Sequence, residues 1–165
     1  MEPASISARF SFSGDLAVAE LAGFYGSLDL AAETLLRATI GLLLIPHGLR
    51  AFYGLFPKTG SRVFNIAALS NVLSEAGYVP GRFWAAIVWF VEFVASPMLV
   101  AGFFTRIAAF LICVFMLGST VEHGRVDGYF WNKLGLEYPL LWTVAALYFV
   151  VHGGGRYSVD FVTGW

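Results

Sequence analysis

Long apolar runs separated by short polar segments dominate the chain from about residue 32 to residue 152. Four of these runs predict transmembrane helices, at approximately residues 32–55, 83–104, 105–125 and 137–152. Helices are expected because every backbone amide must be satisfied inside lipid, and the alternating pattern of a membrane barrel is absent. The pattern therefore predicts an all-α integral membrane protein built as a four-transmembrane-helix bundle.

The connections between the runs carry a second level of pattern. The first loop, residues 56–82, contains apolar positions at helical spacing, which predict a short interfacial helix there. These positions are Val63, Ile66, Leu69 and Leu73. The second connection is a tight turn around Thr105-Arg106, so the second and third spans are expected to form an antiparallel hairpin.

Residues 1–30 differ in composition from the rest. Their charged residues are Glu2, Asp15, Glu20 and Asp29 against Arg9 alone. A signal peptide needs a positive start, so none is predicted. We expect an acidic N-terminal extension, interfacial or partly disordered, ahead of a membrane domain over residues 31–165.

Composition supports a membrane protein and excludes several functions. Apolar residues make up 58% of the chain and charged residues only 13%, about half the usual share. The formal net charge is −1 and no basic run occurs, so nucleic acid is not expected as a partner. Cys113 is the single cysteine, which excludes an intrachain disulfide and a dithiol redox pair.

Basic residues give a weak signal for membrane orientation. Six of them flank loops one and three, against four on the other side. The six are Arg50, Lys58, Arg62, Arg82, Arg125 and Lys133, and the four are Arg9, Arg37, Arg106 and Arg156. The positive-inside rule then places loops one and three in the cytoplasm.

Glu92 is the only charged residue between Phe83 and Thr105. A carboxylate near the middle of a span costs roughly 2.5–3.5 kcal/mol on insertion scales. A cost of this size indicates a partner or a function.

Helix rise places His47 and Glu92 at matching depth, roughly 12 Å from the loop-one side. Arg50 projects from a similar face of the first span, nearer that side.

Further polar residues end or begin spans on the same side, namely Glu122, His123 and Glu137. Together with His47, Arg50 and Glu92 they are predicted to form one half-membrane polar pocket. The alternative is interhelical pairing without a ligand, with Arg50 bonded to Glu92 or Glu122. Arg37 lies towards the opposite side, where we expect it to snorkel or to pair with Glu33.

The histidines do not suggest a metal site. His47, His123 and His152 lie on different predicted helices, and adjacent residues on one helix diverge by about 100°. Neither a metal nor a covalently bound cofactor is therefore predicted.

Several short motifs, taken in order, resemble the DoxX family of small four-helix bacterial membrane proteins over residues 35–160. The motifs are Leu36-Arg37, Ile45-Pro46-His47-Gly48, Gly77-Tyr78-Val79-Pro80, Glu92, Leu99 to Arg106, His123, Glu137 and Gly153 to Asp160. Two departures occur: Arg50 stands where lysine is frequent, and residues 93–97 replace small glycines.

The resemblance implies a function for the polar pocket. It makes the chain similar to the small membrane subunit of a thiosulfate:quinone oxidoreductase, in the bacterial cytoplasmic (inner) membrane. A quinone would then be the cofactor, with His47 or Arg50 donating to a carbonyl and Glu92 relaying protons. The chain would be at most a subunit of a membrane oxidoreductase, working with other subunits.

Two further functions remain open. The first is a non-catalytic assembly subunit that docks on a larger membrane complex through lipid-facing aromatic side chains. The second is a small-solute transporter, which would require an oligomer because four helices leave little room for a path. No inverted repeat supports the transporter.

Overall fold

The structure is a computed structural model that describes residues 4–56 and 63–165, with the side chains of residues 4–17 and residue 27 outside the description. Every regular element in these ranges is helical, which confirms the predicted all-α class for the described part. The chain divides into two compact units, residues 1–33 and residues 34–165.

The helices have the following bounds. They are α1 (Ala4–Tyr53), α2 (Ile66–Glu75), α3 (Gly81–Phe90), a π-helical turn (Val91–Ala95), α4 (Ser96–Ala101), α5 (Thr105–Val126), a 3₁₀ turn (Trp131–Lys133), α6 (Glu137–His152) and α7 (Val159–Thr163).

Two helical segments of the described chain are long and apolar enough to cross a bilayer. One is the continuous run Gly81–Ala101, which joins α3, the π-helical turn and α4, and the other is α5. They correspond to the second and third predicted spans. The remaining two predicted spans fall in α1 and in α6, which has 16 residues. The count of four spans therefore stays a prediction.

The first predicted span lies within a longer helix, because α1 already begins at Ala4. Hydropathy alone indicates only the apolar part of this helix. The upstream residues 4–31 contain no proline and many alanine and leucine residues, which favour helix without making a membrane span. The predicted helix in the first loop corresponds to α2, whose N-terminus is capped by Asn65.

Within residues 34–165, the second half of α1 packs closely against α4 at Gly41. A Cβ atom on Gly41 would lie 2.5 Å from Val100 Cγ2 and 2.6 Å from the Ser96 carbonyl oxygen. Small residues allow such close approach of helices in membrane proteins. The surrounding apolar core is buried and includes Ile40, Leu44, Ala95, Leu99, Ala109, Ile112, Ala146 and Phe149.

The reversal between α4 and α5 lies at Gly102–Phe104. Gly102 has φ of 70° and ends α4 in the left-handed conformation, and Phe104 has φ of 45°. Thr105 and Arg106, predicted as the turn, are instead the first two residues of α5. The carboxylate of Asp160 fixes this start, because it accepts from the backbone N–H groups of Phe104 and Thr105 at 2.7 Å each.

Arg37 connects α1 with the same reversal and with the C-terminal tail. Its guanidinium donates to the carbonyl oxygens of Leu99 at 2.9 Å and Val100 at 3.0 Å, and also to that of Tyr157. Arg37 is only 1% exposed, so the prediction that it snorkels is wrong. Carbonyl groups in the last turn of a helix lack the usual N–H partner four residues on, so those of Leu99 and Val100 can accept from the guanidinium. The Leu99 carbonyl also accepts from the backbone N–H of Gly102 at 3.1 Å. The pairing with Glu33 stays a prediction.

Replacing Arg37 by lysine tests this set of contacts, here called the Arg37 clasp. Lysine keeps the charge but cannot donate to three carbonyl groups in the same planar geometry. We expect the free energy of unfolding in detergent to fall by about 1.5–3 kcal/mol, the value of one or more hydrogen bonds to a charged group. Arg156→Lys is the matched control, because Arg156 is exposed in the tail. Equal stability of both variants would contradict the clasp.

Candidate functional site

A π-helical turn carries Glu92 inside the candidate span Gly81–Ala101. Pro97 follows this turn and lacks the backbone N–H that an α-helix would direct to the carbonyl of Phe93. The hydroxyl of the preceding Ser96 donates to the carbonyl oxygen of Val91 at 2.9 Å. Single π-helical turns inside α-helices are frequent at functional sites, which makes this turn a candidate.

Glu92 is buried without full satisfaction of its carboxyl group. It is 4% exposed, and its Oε2 atom is buried with no hydrogen-bond partner in the described part of the chain. An unsatisfied buried polar atom costs about 1–3 kcal/mol, and more when it is charged. The fold therefore contains a buried carboxyl oxygen that a ligand could bond or a proton could neutralise.

The backbone of α1 lies against this carboxyl group at Gly48. A Cβ atom on Gly48 would lie 2.9 Å from Glu92 Oε2 and 2.9 Å from two ring carbons of Phe93. The Phe93 ring also makes edge contacts with Phe52 and Tyr53, at centroid distances of 6.0 Å and 5.9 Å. The first span thus meets Glu92 at Gly48, the residue next to His47.

Arg50 is the charged neighbour of this position. It acts electrostatically on both Glu92 and His47. Its Nε atom is buried and has no hydrogen-bond partner among the described residues. Within the same residues, no direct salt bridge joins Arg50 to Glu92 or to Glu122. An unused donor and an unused carboxyl oxygen therefore lie in one neighbourhood.

His47 lies on the outer surface of α1, next to this pair. It is exposed, and it lines an open groove together with Pro46, Arg50 and Phe56. Pro46 does not interrupt α1, which continues through it to Tyr53. Arg50 is the residue shared by the groove and by the surroundings of Glu92.

Two of the other three predicted pocket residues, His123 and Glu137, have local contacts. His123 Nδ1 lies 3.1 Å from Asp127 Oδ2, and Glu137 Oε2 accepts from the backbone N–H of Trp131 at 3.2 Å. Glu122 keeps a buried Oε2 atom without a partner in the described chain. No hydrogen bond or salt bridge in the described residues joins these three to Glu92, Arg50 or His47. The six-residue pocket therefore stays a prediction, and the contacts of the described residues bring together Gly48 and Glu92, with Arg50 as the charged neighbour.

Among the described residues, no group of three or more histidine, cysteine, aspartate or glutamate side chains could hold a metal ion. The arrangement offers proton exchange at one carboxyl group and hydrogen-bond donation from one guanidinium.

The predicted site does not include Gly48, Ser96 or Pro97. The sequence does contain a signal for Ser96 and Pro97, because Ser-Pro begins four residues after Glu92. A proline at that spacing removes a helical hydrogen bond next to the only charge of the span.

A sequence model of one family, described as DoxX, matches residues 32–124, which are 93 of the 165 residues. The chain belongs to the DoxX family. DoxX is a membrane family, and the matched region contains both candidate spans except for the last two residues of α5. It also contains Gly48, Arg50 and Glu92. We found no match among curated proteins and none among solved structures.

Replacing Gly48 by alanine tests the contact between α1 and the Glu92 turn in this DoxX protein. The added methyl group must displace the Phe93 ring or the Glu92 carboxyl group, and overpacking of this kind costs about 1–3 kcal/mol. We expect a corresponding fall in the free energy of unfolding, measured in detergent.

Gly118→Ala is the matched control, because Gly118 lies inside α5 with nothing within 4 Å of an added Cβ. It should leave stability unchanged or raise it by up to about 1 kcal/mol. A Gly48→Ala protein as stable as the Gly118→Ala protein would show that α1 does not approach Glu92 this closely.

Proposed function

We propose that this DoxX protein is a membrane subunit of a quinone-linked redox complex, with Glu92 as a proton relay. The observation that supports this function best is the buried Oε2 atom of Glu92, which has no partner in the described chain. Ionisable residues inside membrane spans are expensive and usually functional. A carboxyl group that only neutralised Arg50 would be expected to form a salt bridge, and none is present between these two residues.

The residues around Glu92 fit a quinone headgroup. Quinone carbonyl oxygens accept hydrogen bonds, and the Arg50 Nε–H group is a buried donor that lacks an acceptor among the described residues. Pro46 and Phe56 supply apolar surface in the adjoining groove, beside the imidazole of His47. Sites of this type combine mostly apolar walls with a few polar groups that fix orientation.

A bound quinone would supply an electron acceptor whose reduction also takes up protons. Arg50 holds and orients a carbonyl oxygen through its Nε–H group. Glu92 holds a proton at Oε2 and releases it towards the bound headgroup. The packing of Phe93 against Gly48 and Phe52 keeps bulk water away from this carboxyl group, so that the proton is not exchanged freely.

We also propose that the protein crosses the bacterial inner membrane four times, with loops one and three in the cytoplasm. Two further crossings by α1 and α6 would bury their apolar surface, although α6 reaches only about 24 Å. The orientation depends on basic residues that include Lys58 and Arg62, which lie outside the described residues.

Glu92→Gln tests the proton relay, since glutamine has nearly the same shape and no exchangeable carboxyl proton. The complex would be isolated through a tag on this chain and supplied with thiosulfate, the electron donor that the family resemblance implies. The reduction of added decyl-ubiquinone would then be followed spectroscopically. We expect the rate to fall by about 100-fold, a typical contribution of a positioned proton donor, with quinone affinity unchanged.

The control is Glu75→Gln, which changes an exposed carboxylate at the end of α2 and should leave the rate as in the native protein. Normal turnover by Glu92→Gln would exclude Glu92 as the relay.

A second function, assembly of a larger membrane complex, is favoured by the N-terminal unit. Large apolar side chains of α1 are exposed there, namely Val18, Leu21, Phe24, Tyr25 and Leu28. Deletion of residues 1–30 should then release the partner subunits during purification, while quinone binding at the Glu92 site stays intact. If the truncated protein retains every partner, this unit is not the docking element.

A further inference from the structure

The groove beside Glu92 opens on the outer surface of α1. Pro46 and His47 are exposed, whereas the next residue, Gly48, is buried against Glu92. Gly48 has no side chain, and its backbone lies against both the Glu92 carboxyl group and the Phe93 ring. The groove residues Pro46 and His47 therefore lie within two positions of the contact with Glu92.

The distance of this groove from the helix ends indicates whether it faces lipid or water. His47 lies six residues before the end of α1 at Tyr53, which corresponds to roughly 9 Å of helix. Glu92 lies eleven residues after the start of its span at Gly81, or roughly 16 Å along it. Exposed surface that far inside the ends of membrane helices contacts lipid tails and not bulk water.

We infer that the Glu92 site opens sideways into the bilayer through the groove lined by Pro46, His47, Arg50 and Phe56, and takes a lipid-soluble ligand with a hydrogen-bond acceptor on its head. The inference rests on the proposed function, because it gives the access route and the ligand class of the same site.

Arg50 is the residue that links the groove to the Glu92 carboxyl group. It lines the groove and also acts electrostatically on Glu92. Its Nε–H group is a buried donor without a partner in the described chain. A guanidinium at this place repels cationic heads and accommodates an oxygen acceptor. The apolar tail of the ligand would then lie along Pro46 and Phe56.

Two sources provide this chemistry, a quinone and a phospholipid with its ester carbonyl groups. Both carry an acceptor oxygen at the head and an apolar tail, so the groove is suited to either. Chemical labelling of Glu92 separates the access route from the identity of the ligand.

Carbodiimides test the route, because they react with protonated carboxyl groups and exist in lipid-soluble and water-soluble forms. The full-length protein in lipid nanodiscs is treated with dicyclohexylcarbodiimide or with its water-soluble analogue EDC, and modification of Glu92 is followed by peptide mass spectrometry. We expect the lipid-soluble reagent to label Glu92 at least about tenfold faster. Glu75 is exposed and serves as the internal control, with the opposite preference. Equal labelling of Glu92 by both reagents, or none by the lipid-soluble one, would overturn the lateral route.

His47→Trp tests whether the groove itself is the route. The larger side chain fills the groove, and we expect labelling of Glu92 by dicyclohexylcarbodiimide to slow by roughly tenfold, equivalent to about 1.4 kcal/mol. Leu42→Trp is the matched control on an exposed position of the same helix that does not line the groove. Unchanged labelling in His47→Trp would exclude this groove.

Protection from labelling identifies the ligand class. Slower labelling after addition of decyl-ubiquinone supports a quinone, and slower labelling in nanodiscs than in lipid-free detergent supports a phospholipid. Protection by neither overturns the proposed ligand class. Faster labelling by the lipid-soluble reagent without protection by quinone would support the lateral route and contradict the redox function. Normal turnover by Glu92→Gln would contradict only the proton relay by Glu92.

Discussion

Inside a lipid bilayer, a buried polar group without a partner costs free energy that no surrounding water offsets. Arg37 and Glu92 meet this constraint in opposite ways. Arg37 is almost fully buried, and its guanidinium donates to three backbone carbonyl groups from the α4 end and the tail. Glu92 is buried to a similar degree, yet its Oε2 atom keeps no partner in the described chain. We interpret the first residue as part of the fold and the second as part of a site.

This division assigns separate roles to the motifs that resemble the DoxX family. The segment from Leu99 to Arg106 and the tail ending at Asp160 meet at the Arg37 clasp, where Asp160 also caps the start of α5. Their polar residues are used by backbone groups that helix ends leave unsatisfied. The His47-Gly48 pair and Glu92 differ, because their contact brings an α1 backbone against a carboxyl group. The proposed function therefore uses this second contact.

The sequence predicts the helices well and the contacts of their side chains less well. The predicted bounds of the fourth span, residues 137–152, coincide with α6, because apolar runs report directly on helix length. The predicted approach of the first span to Glu92 is also present in the structure, at Gly48. Depth does not give direction around the helix, so it does not reveal the local partners of His123 and Glu137, namely Asp127 and the backbone N–H of Trp131. The inward turn of Arg37 depends on carbonyl groups 62 and more residues away, which no local pattern reveals.

If Glu92 serves a function at a cost in stability, a Glu92→Met variant should be no less stable than the native protein. Methionine has a similar length and removes the unsatisfied carboxyl group. The free energy of unfolding in detergent should stay the same or rise by about 1 kcal/mol, because a buried polar group without a partner is replaced by an apolar one. A fall of more than about 1 kcal/mol would show that the Glu92 carboxyl group stabilises the fold, and would contradict its assignment to a ligand site.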